Sequence, residues 1–369
     1  MTEGIVMETE TVIEGKTKLE VPRQEGLDDP AHALVFYNPK MSYDRDISAL
    51  LLRQYLPNRA KVLDLLSGTG SRATRYAVEG NDFEVWANDV QPSAVKLIEK
   101  NADLNKVNLK ISNEEANDFL TGHRREYFDC IDIDPFGSPG KFTFNAFRAL
   151  KSNNGLLCLT ATDIGSLSGT FQNACYRKYG SVVHKTSFAH ELGLRLLITY
   201  AMREAAKFNI ALEPLFSYHR LHYYRVFLKT VDSRKRTDEK IEQQGFVAEC
   251  EKCLRQHTRG LYSSALSTCK CGNQLKCSGP IYLGGTYDSD FLKNLTYKHT
   301  LFEKINSEAH LPFYYDLHEL GKFLNKKNKQ KSVIVKAIQA NGFHASGTLF
   351  SGYGIKTDAP YDVLLKCAF

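Results

Sequence analysis

The segment 61–78, KVLDLLSGTGSRATRYAV, joins a short apolar strand to a glycine turn and then to a helix. The apolar run 61–66 predicts the strand, and the pattern at 71–78 predicts the helix. A strand that leads into a glycine-rich turn and a helix is typical of the first unit of a Rossmann-like sheet. The segment therefore predicts an α/β fold with a ligand bound beside the turn.

The glycines of this turn narrow the class of ligand. Asp64, Gly68 and Gly70 form the pattern D-x3-G-x-G, which lacks the third glycine of the dinucleotide fingerprint. Dinucleotide sites use all three glycines to bring the backbone close to a pyrophosphate. A shorter turn headed by an acid suits a cofactor without phosphate, such as S-adenosylmethionine.

The rest of the first half repeats the alternation of strand and helix. Further strands are predicted at 83–87, 109–112, 128–133, 156–160, 212–216 and 223–229. Helices are predicted at 92–101, 142–150 and 188–209, and the stretch 165–179 is predicted to be a loop. This order predicts a doubly wound sheet.

Acidic residues follow the second and third predicted strands. Asp89 is placed to bind the ribose hydroxyls of an adenosine, although it also fits a helix cap. Glu115 and the backbone of Ala116 are the candidates for the adenine amine. The other polar residues of 113–118 compete with Glu115 for this role.

The segment 128–139, FDCIDIDPFGSP, runs a buried strand into an acid, a stiff turn and an aromatic ring. The carboxylate of Asp134 and the carbonyl of Pro135 could accept both hydrogens of a nucleobase amine while Phe136 stacks on the base. Stacking of a base on an aromatic side chain contributes about 1–3 kcal/mol. The alternative interpretation is a buried strand that ends in an ordinary Asp-Pro turn.

The segment upstream of the glycine turn predicts a hairpin and a helix. Residues 9–21 alternate in polarity around a Glu-Gly turn, which predicts a β-hairpin that could act as a flap. Phe36 belongs to an aromatic turn, and Asp44 is predicted to cap the next helix. Arg45 would lie in that helix's first turn, where a positive charge opposes the helix dipole. It is either a surface arginine or the partner of an anion such as a ligand carboxylate.

The composition is that of an ordinary globular protein, with 369 residues of which 43% are hydrophobic and 24% charged. The length predicts two domains. No apolar run is long enough to span a membrane and no signal segment is recognisable, so we expect a cytoplasmic location and no membrane partner.

The charge distribution fits a polyanionic partner without requiring one. The net charge is +6, and basic residues cluster at 233–240 and 322–331. Each cluster could equally be a solvated face. Basic and aromatic residues alternate at 218–225, a pattern that can bind nucleic acid or mark a strand with one face in the core.

Four cysteines have spacing typical of a metal site. They form the pattern C-x2-C-x15-C-x-C, which indicates a zinc ribbon or knuckle, and they are Cys250, Cys253, Cys269 and Cys271. The alternative is reduced structural thiols. Cys277 is either spare or a replacement for Cys269. The remaining cysteines are expected to be small buried apolar residues.

The C-terminal part predicts a winged-helix-like order. Helices at 318–324 and 331–341 precede a strand at 343–349. Such modules bind nucleic acid or protein. The predicted division is a first domain 1–232, which includes the hairpin, and a smaller α+β domain 233–369, which contains the cysteine-rich element 246–280.

The chain resembles the tRNA (guanine-26-N2)-dimethyltransferases, in particular their archaeal members. The segments that carry this resemblance are VFYNPKMSYDRD, LDLLSGTGSRATRY, WANDV, IDIDPFGSP, TATD, CYRKYG, HELGLRLL and GIKTDAPYDV. The resemblance implies a Rossmann-like class I methyltransferase domain at 1–232 and a tRNA-binding domain at 233–369. It also implies that S-adenosylmethionine methylates the guanosine N2 twice, through a monomethylated intermediate, and that zinc is structural.

The resemblance assigns roles on the substrate side of the site. It implies that Asp134, together with Pro135, orients the guanine amine and that Phe136 helps to hold the ring. Phe36 lies where an aromatic side chain faces the target base in the family.

On the cofactor side, the resemblance implies that Arg45 binds the cofactor carboxylate and that Arg72 is a second cofactor-binding arginine. Asp89 matches the ribose acid, and Glu115-Ala116 matches the adenine pair, where the family often has aspartate. The turn also departs from the family, because it reads SGTGSR where archaeal relatives often read SATGIR. The cysteine spacing is irregular for the family and leaves Cys269 the least certain ligand.

Two other functions stay open from the sequence. One is a methyltransferase that acts on an exocyclic amine of another base, such as DNA adenine or cytosine. The other is a tRNA-binding protein without catalytic activity. No obligate protein partner is evident.

Overall fold

The computed structural model describes residues 7–23, 33–264, 267–296 and 299–369. They divide into two compact units. The first holds the described residues up to Pro135 together with Lys141–Leu159, and the second holds Phe136–Gly140 together with those of Thr160–Phe369. Within the described residues, no helix is both long and apolar enough to cross a membrane.

The first unit opens with a hairpin and continues as alternating strands and helices. The hairpin strands are β1 (Thr9–Glu14) and β2 (Thr17–Pro22), followed by a 3-10 helix (Pro39–Met41) and α1 (Ser42–Tyr55). The alternating elements are β3 (Lys61–Asp64), α2 (Ser71–Glu79), β4 (Glu84–Asn88), α3 (Pro92–Asn105), β5 (Leu109–Ser112), α4 (Ala116–Gly122), β6 (Cys130–Ile133), α5 (Gly140–Ala149) and β7 (Leu156–Ala161).

The predicted doubly wound sheet is confirmed. Strands β5-β4-β3-β6-β7 pair in parallel, in that order. Helices cover both faces of such a sheet, so most side chains of its strands are apolar. Leu63, Ile131 and Leu157 are accordingly fully buried. The strand order reverses direction beside β3, and ligands of open α/β sheets bind at the carboxyl ends of the strands at such a point.

The predicted hairpin is confirmed, and it packs firmly on α3. Leu19 and Val21 are fully buried. The side-chain oxygen of Asn101 accepts a hydrogen bond from the Glu20 amide at 2.6 Å, and that of Asn105 accepts one from the Lys18 amide at 2.9 Å. The hairpin is therefore an anchored wall of the first unit in this structure.

The second unit contains the following elements in chain order. They are α6 (Ile164–Leu167), α7 (Gln172–Tyr179), α8 (Ala189–Ala206), β8 (Ile210–Arg220), β9 (Tyr223–Asp232), α9 (Arg234–Glu242), β10 (Gln244–Glu249), β11 (Gln256–Gly260), β12 (Ser278–Tyr282), α10 (Ser289–Lys293), α11 (Thr300–Asn306), β13 (Tyr315–Asp316), α12 (Leu317–Leu324), α13 (Lys331–Ala340), β14 (Ala345–Gly347), β15 (Gly354–Thr357) and α14 (Tyr361–Ala368). With β9-β8 after β7, the main sheet has seven strands.

One expectation for this unit is wrong, and one open alternative is supported. The stretch 165–179 is not a loop, because it holds most of α6 and all of α7. The residues 218–225 are the ends of strands β8 and β9 and the turn between them. Tyr218, Tyr224 and Arg225 are buried there, which supports the alternative of a strand with one face in the core.

Two small sheets follow in the second unit, in the orders β11-β10-β12 and β13-β15-β14. The second sheet packs with α12 and α13 around Leu320, Ile334, Ile338 and Ile355. This arrangement confirms the winged-helix-like order. The terminal helix α14, which the sequence analysis did not predict, adds Leu364 to the same core.

Candidate functional site

The glycine turn after β3 has a backbone that only glycine adopts easily. Gly68 has φ +53° and Gly70 has φ +72°, both in the left-handed region. A Cβ on Gly70 would lie 2.9 Å from Ile98 Cγ1, and one on Gly68 would lie 3.2 Å from the Phe36 carbonyl oxygen. The two glycines thus let the backbone at Phe36 and helix α3 approach the turn closely.

Polar groups after β4 hold the turn in place. Asp89 Oδ2 accepts a hydrogen bond from the Gly68 amide at 2.8 Å, and its Oδ1 accepts one from the Gln91 amide at 2.9 Å. Both interpretations of Asp89 are compatible with this geometry, because it joins the start of α3 to the turn and stays partly exposed. The neighbouring Asn88 is fully buried and donates to the carbonyls of Leu65 and Glu114.

Asp64 lies buried beneath the turn. Its Oδ2 accepts a hydrogen bond from the Ala73 amide at 3.2 Å. Burial raises the pKa of Asp64 to about 7, with Arg72 opposing the shift and the carboxylates of Asp132 and Asp134 adding to it. Asp64 therefore acts as a buried anchor of the turn that carries a proton more readily than an ordinary aspartate.

Asp134, at the carboxyl end of β6, is paired with Arg72 from the first turn of α2. Arg72 Nη2 lies 2.5 Å from Asp134 Oδ2 and 2.8 Å from Asp44 Oδ2, and its Nη1 donates to Ser48 Oγ at 3.0 Å. Burial works to lower the pKa of Arg72, but Asp132, Asp134 and Asp44 together outweigh it and raise the pKa. The guanidinium is therefore a permanent cation that neutralises a cluster of carboxylates.

The prediction that Asp44 caps α1 is wrong. The helix begins at Ser42 with Met41 as its N-cap, so Asp44 lies inside the first turn. Its side chain is fully buried and binds Arg72 instead. A buried charge needs a partner, and the pairing with Arg72 supplies one that the local sequence does not reveal.

Arg45 is buried, and its anionic partner in this structure is Glu14 from the end of β1. Arg45 Nε lies 2.7 Å from Glu14 Oε2, and Arg45 Nη2 lies 2.5 Å from Oε1. Tyr37 donates to the same carboxylate at 2.7 Å. Burial acts to raise the pKa of Glu14, but the hydrogen bonds and charges of Arg45, Tyr37 and Arg75 lower it overall. The surface interpretation of Arg45 is thus wrong.

Glu115 and Ala116 lie where α4 begins, after β5. The Glu115 carboxylate caps this helix by accepting hydrogen bonds from the amides of Asn117 at 2.7 Å and Asp118 at 3.2 Å. Its side chain is exposed, whereas Ala116 is buried. A carboxylate has about four lone-pair positions, so Glu115 can accept a further donor while it caps the helix.

The Asp-Pro-Phe-Gly loop after β6 presents an aromatic ring to solvent. Phe136 is 66% exposed. Gly137 has φ +80°, its amide donates to Thr162 Oγ1 at 2.7 Å, and its carbonyl accepts from the Thr162 amide at 2.9 Å. These reciprocal hydrogen bonds fix the loop against the residues that follow β7.

The four predicted cysteine ligands come together. The sulfur atoms of Cys250, Cys253, Cys269 and Cys271 all lie within 4.8 Å of one another. The pairs 250/271 and 253/269 each have a separation of 3.5 Å. Tetrahedral zinc with Zn–S bonds of about 2.3 Å places sulfur atoms about 3.8 Å apart, so the cluster can hold such an ion. Cys277 does not belong to the group.

Several residues of the site were not predicted from the sequence. Glu14, Asp44, Asn88 and Asp132 are buried polar groups whose partners lie far away in the chain. The sequence indicated the roles of these residues only weakly, because a polar residue within an apolar segment is also typical of a helix cap or a strand end. His257 Nε2 lies 3.2 Å from Cys269 Sγ and is likewise a neighbour that the cysteine spacing does not indicate.

These features define a class of protein. A doubly wound parallel sheet carries a glycine turn with two left-handed residues, an acid after the second core strand and a further acid-Pro-aromatic loop. That combination is the site of a class I methyltransferase that uses S-adenosylmethionine.

The chain belongs to the N2,N2-dimethylguanosine tRNA methyltransferase family, whose model matches residues 15–368. A tRNA (guanine(26)-N(2))-dimethyltransferase from Thermococcus kodakarensis is 37% identical, with 98% of this chain and 99% of the relative covered. One from Methanosphaera stadtmanae is 36% identical over 97% and 96% of the two chains. The structure of Trm1 from Pyrococcus horikoshii in complex with S-adenosyl-L-methionine is similar with a TM-score of 0.87 and 32% identity, covering 97% of this chain and 99% of that one.

Proposed function

We propose that this enzyme transfers two methyl groups in succession from S-adenosylmethionine to the exocyclic N2 of guanosine 26 in tRNA. Membership of the family supports this reaction. The observation that carries it is Asp134, an Arg72-paired carboxylate at the end of β6 that precedes Pro135 and the exposed ring of Phe136. The cytoplasm is the proposed place of action.

The residues at the strand ends fit S-adenosylmethionine. The turn backbone is held in left-handed conformations at Gly68 and Gly70, neither of which carries a side chain. Asp89 and Glu115 place carboxylates where a pyrophosphate would be repelled but hydroxyls and an amine can donate. We assign Asp89 to the ribose, Glu115 and the backbone of Ala116 to the adenine, and Gly68 and Gly70 to the methionine side.

The methionine carboxylate is assigned to Arg45 and Arg72. In this structure both guanidiniums already bind protein carboxylates, Glu14 in the case of Arg45 and both Asp134 and Asp44 in the case of Arg72. Each guanidinium has five N–H donors in a planar fork, so donors remain for a further anion. Asp64 lies beneath the turn. In its neutral form it would add no further negative charge to the site and so would not oppose binding of the methionine carboxylate.

The proposed chemistry is orientation of a poor nucleophile. Asp134 and the Pro135 carbonyl accept the two amine hydrogens and so turn the nitrogen lone pair out of conjugation with the ring. Such positioning can supply several kcal/mol, about 7–11 in the best intramolecular cases. S-adenosylmethionine supplies an electrophilic methyl group when bound. The Asp134 carboxylate stabilises the positive charge that develops on nitrogen and accepts the released proton.

The target base must leave its stack before Asp134 can reach N2, so base flipping is part of the proposal. Phe36 and Phe136 are assigned to hold the flipped ring by stacking. After the first transfer one N–H remains, which Asp134 alone can bind. The second methylation therefore uses the same carboxylate and needs only room for one methyl group.

The zinc ion and the C-terminal domain are assigned structural and tRNA-binding roles. Zinc held by the four cysteines would fix the segment 246–280, which contains β11 and parts of β10 and β12. The winged-helix-like module carries exposed lysines at Lys322, Lys326 and Lys327. Their positive charge suits the phosphates of tRNA.

The test is methyl transfer to unmodified tRNA with tritiated cofactor. Asp134→Ala removes the acceptor of the guanine amine. The isosteric Asp134→Asn places an amide donor opposite the amine, which also donates. Both variants should therefore reduce transfer by at least about a hundredfold. Asp103→Ala, which removes an exposed carboxylate from α3, is the matched control. Dimethylation near the wild-type rate by Asp134→Ala would refute the assignment.

Mapping of the modified nucleoside separates the remaining alternatives. The proposed function predicts N2,N2-dimethylguanosine at position 26 and no transfer to DNA. Transfer to adenine or cytosine would favour another amine methyltransferase. Binding of tRNA without cofactor binding in calorimetry would favour a non-catalytic protein.

A further inference from the structure

A groove of about 730 Å³ lies in the second unit, apart from the residues assigned above. One side is formed by residues 169–174 and by Arg177 of α7. The other is formed by His184, Lys185 and two residues of the cysteine-rich element, Glu251 and Lys276. Its volume falls within the range of about 300–1,000 Å³ that is usual for ligand sites.

The backbone that shapes the groove is fixed by hydrogen bonds. Val182 and Gly279 exchange two backbone hydrogen bonds of 2.9 and 2.8 Å, and the His184 amide donates to Ser278 Oγ at 2.9 Å. The segment before Lys185 is therefore attached to β12, directly after Cys277. The groove is a built feature of the cysteine-rich element and the segment that contacts it.

The groove has an excess of positive charge. Three of its lining residues are basic and one is acidic. Lys276 Nζ pairs with Glu251 at 2.8 Å, which leaves Arg177 and Lys185 as exposed cations with no ion pair among the described residues. Burial, followed by Lys276, lowers the pKa of His184, so this histidine is neutral at pH 7. The charge therefore favours an anionic ligand.

An aromatic ring and two amides complete the lining. Phe171 is 61% exposed, and a Cβ on Gly165 would lie 2.6 Å from its ring, so the absence of a side chain at Gly165 makes room for the ring. Gln172 Nε2 lies 3.2 Å from His184 Nδ1, and Asn173 is exposed beside it. Exposed rings stack on unpaired bases, and amides can read base edges.

We propose that this groove binds a single-stranded segment of the tRNA substrate, with phosphates on Arg177 and Lys185 and one unstacked base on Phe171. This inference rests on the proposed function, because it takes tRNA as the substrate. Cations beside an exposed ring are the combination that single-stranded nucleic-acid sites use. An acidic peptide would satisfy the cations but would leave the ring and the amides without a role.

The proposal also gives the metal site a function in binding. Glu251 directly follows Cys250 of the cluster, and Lys276 is ion-paired with Glu251 at 2.8 Å, so this wall of the groove depends on a segment that the cysteine cluster holds. Loss of the metal should therefore weaken tRNA binding through this wall while the cofactor site in the first unit keeps its affinity.

The test is equilibrium binding of unmodified tRNA by filter retention over a range of KCl concentrations. Arg177→Ala/Lys185→Ala should weaken binding about tenfold or more at 150 mM salt. The slope of log K against log[salt] should become shallower by about 0.7 for each lost phosphate contact. Lys96→Ala/Lys106→Ala, which removes two exposed lysines that have no ion pair among the described residues and lie outside the C-terminal domain, is the charge-matched control and should bind as the wild type does.

Three further variants distinguish the loss of a contact with tRNA from a loss of folding. Arg177→Lys/Lys185→Arg keeps both charges and should retain most of the affinity and the salt slope. Phe171→Ala should weaken binding about tenfold without a change in the slope, whereas Phe171→Tyr keeps the stacking surface and should bind normally. Calorimetry with S-adenosylmethionine should give unchanged affinity for every variant, which shows that each is folded.

The outcomes distinguish this proposal from the proposed function. If the wild type methylates tRNA but the alanine double variant binds tRNA with wild-type affinity and slope, the groove proposal is overturned. If the wild type binds tRNA through the groove but transfers no methyl group, the proposed function fails and the groove proposal stands. Polyglutamate serves as a model acidic peptide. If the alanine double variant loses binding to polyglutamate but keeps binding to tRNA, the groove is assigned to acidic peptides and the proposal is overturned.

Discussion

Arg72 Nη2 lies 2.5 Å from Asp134 Oδ2, so the carboxylate proposed to orient the guanine amine is itself oriented by an arginine from α2. The same guanidinium contacts Asp44 at 2.8 Å and lies 3.7 Å from Asp132. One cation thus holds the end of β6, the start of α1 and the glycine turn in a fixed relation. A charge-assisted hydrogen bond is about twice as strong as a neutral one, which suits a positioning role.

We predict that Arg72→Lys lowers kcat for methyl transfer by about a hundredfold, because displacement of a catalytic group by 1 Å can have an effect of that size. Lysine cannot replace the planar fork that contacts Asp134, Asp44 and Ser48 together. Rates measured with saturating tRNA and cofactor test this. The control Arg59→Lys changes an exposed arginine paired with Asp82 and should be silent. Equal kcat for Arg72→Lys and the wild type would contradict the positioning role.

We predict that Glu14→Ala lowers the free energy of unfolding by about 3–5 kcal/mol, because it leaves the buried Arg45 without its anionic partner. Denaturant unfolding followed by circular dichroism measures this change. Glu8→Ala is the matched control on the same hairpin, since its ion pair with Arg23 is exposed and should contribute at most about 1 kcal/mol. Similar losses in the free energy of unfolding for the two variants would show that the buried Glu14–Arg45 pair contributes no more stability than an exposed ion pair.

We predict that Asp64 makes the stability of the first unit depend on pH. Its pKa is about 7 when folded, above the ordinary value of 3.8, so the folded protein holds a proton that the unfolded chain releases. Stability from this group is therefore complete below about pH 4 and is lost as the pH rises through 7. Asp64→Asn should lack this loss.

The measurement is denaturant unfolding of both proteins at pH 5 and pH 8. The difference in stability between Asp64→Asn and the wild type should shift in favour of the variant between pH 5 and pH 8, by about 2.6 kcal/mol, because about two of the three pK units lie between these pH values. Asp103→Asn, at an exposed position on α3, controls for the removal of a carboxyl group. A difference that is the same at both pH values would exclude the buried, protonated Asp64.

We predict that Cys269→Ser abolishes stoichiometric zinc binding and that Cys277→Ser retains it. The reason is that Cys269, unlike Cys277, belongs to the four-sulfur cluster. Elemental analysis of freshly purified protein measures the content. The thermal midpoint of Cys269→Ser should also fall, since structural zinc contributes directly to folding. Zinc retained by Cys269→Ser and lost by Cys277→Ser would show that Cys277 is the fourth ligand.

Much of the fold was predictable because the parallel strands are buried on both faces and so form apolar runs between glycine turns and helices. Strand β5 matched its predicted bounds, and β3, β4, β6 and β7 differed from theirs by one or two residues at the ends. Helices α4, α7 and α14 were missed, because short helices with mixed polarity have weak periodicity. Their formation depends on apolar residues such as Phe119, Tyr179 and Leu364 that the surrounding structure buries.

The sequence by itself determined the alternation of strands and helices along the chain, the turn at Gly68 and Gly70, the loop at Asp134 and the four cysteines. Each of these is a local pattern, in which spacing or backbone conformation restricts the residue type. Only the tertiary structure decided the partners, such as Glu14 for Arg45 and Arg72 for Asp134. Such pairs join residues that are distant in the chain, and burial makes a counter-charge necessary without specifying which one will supply it.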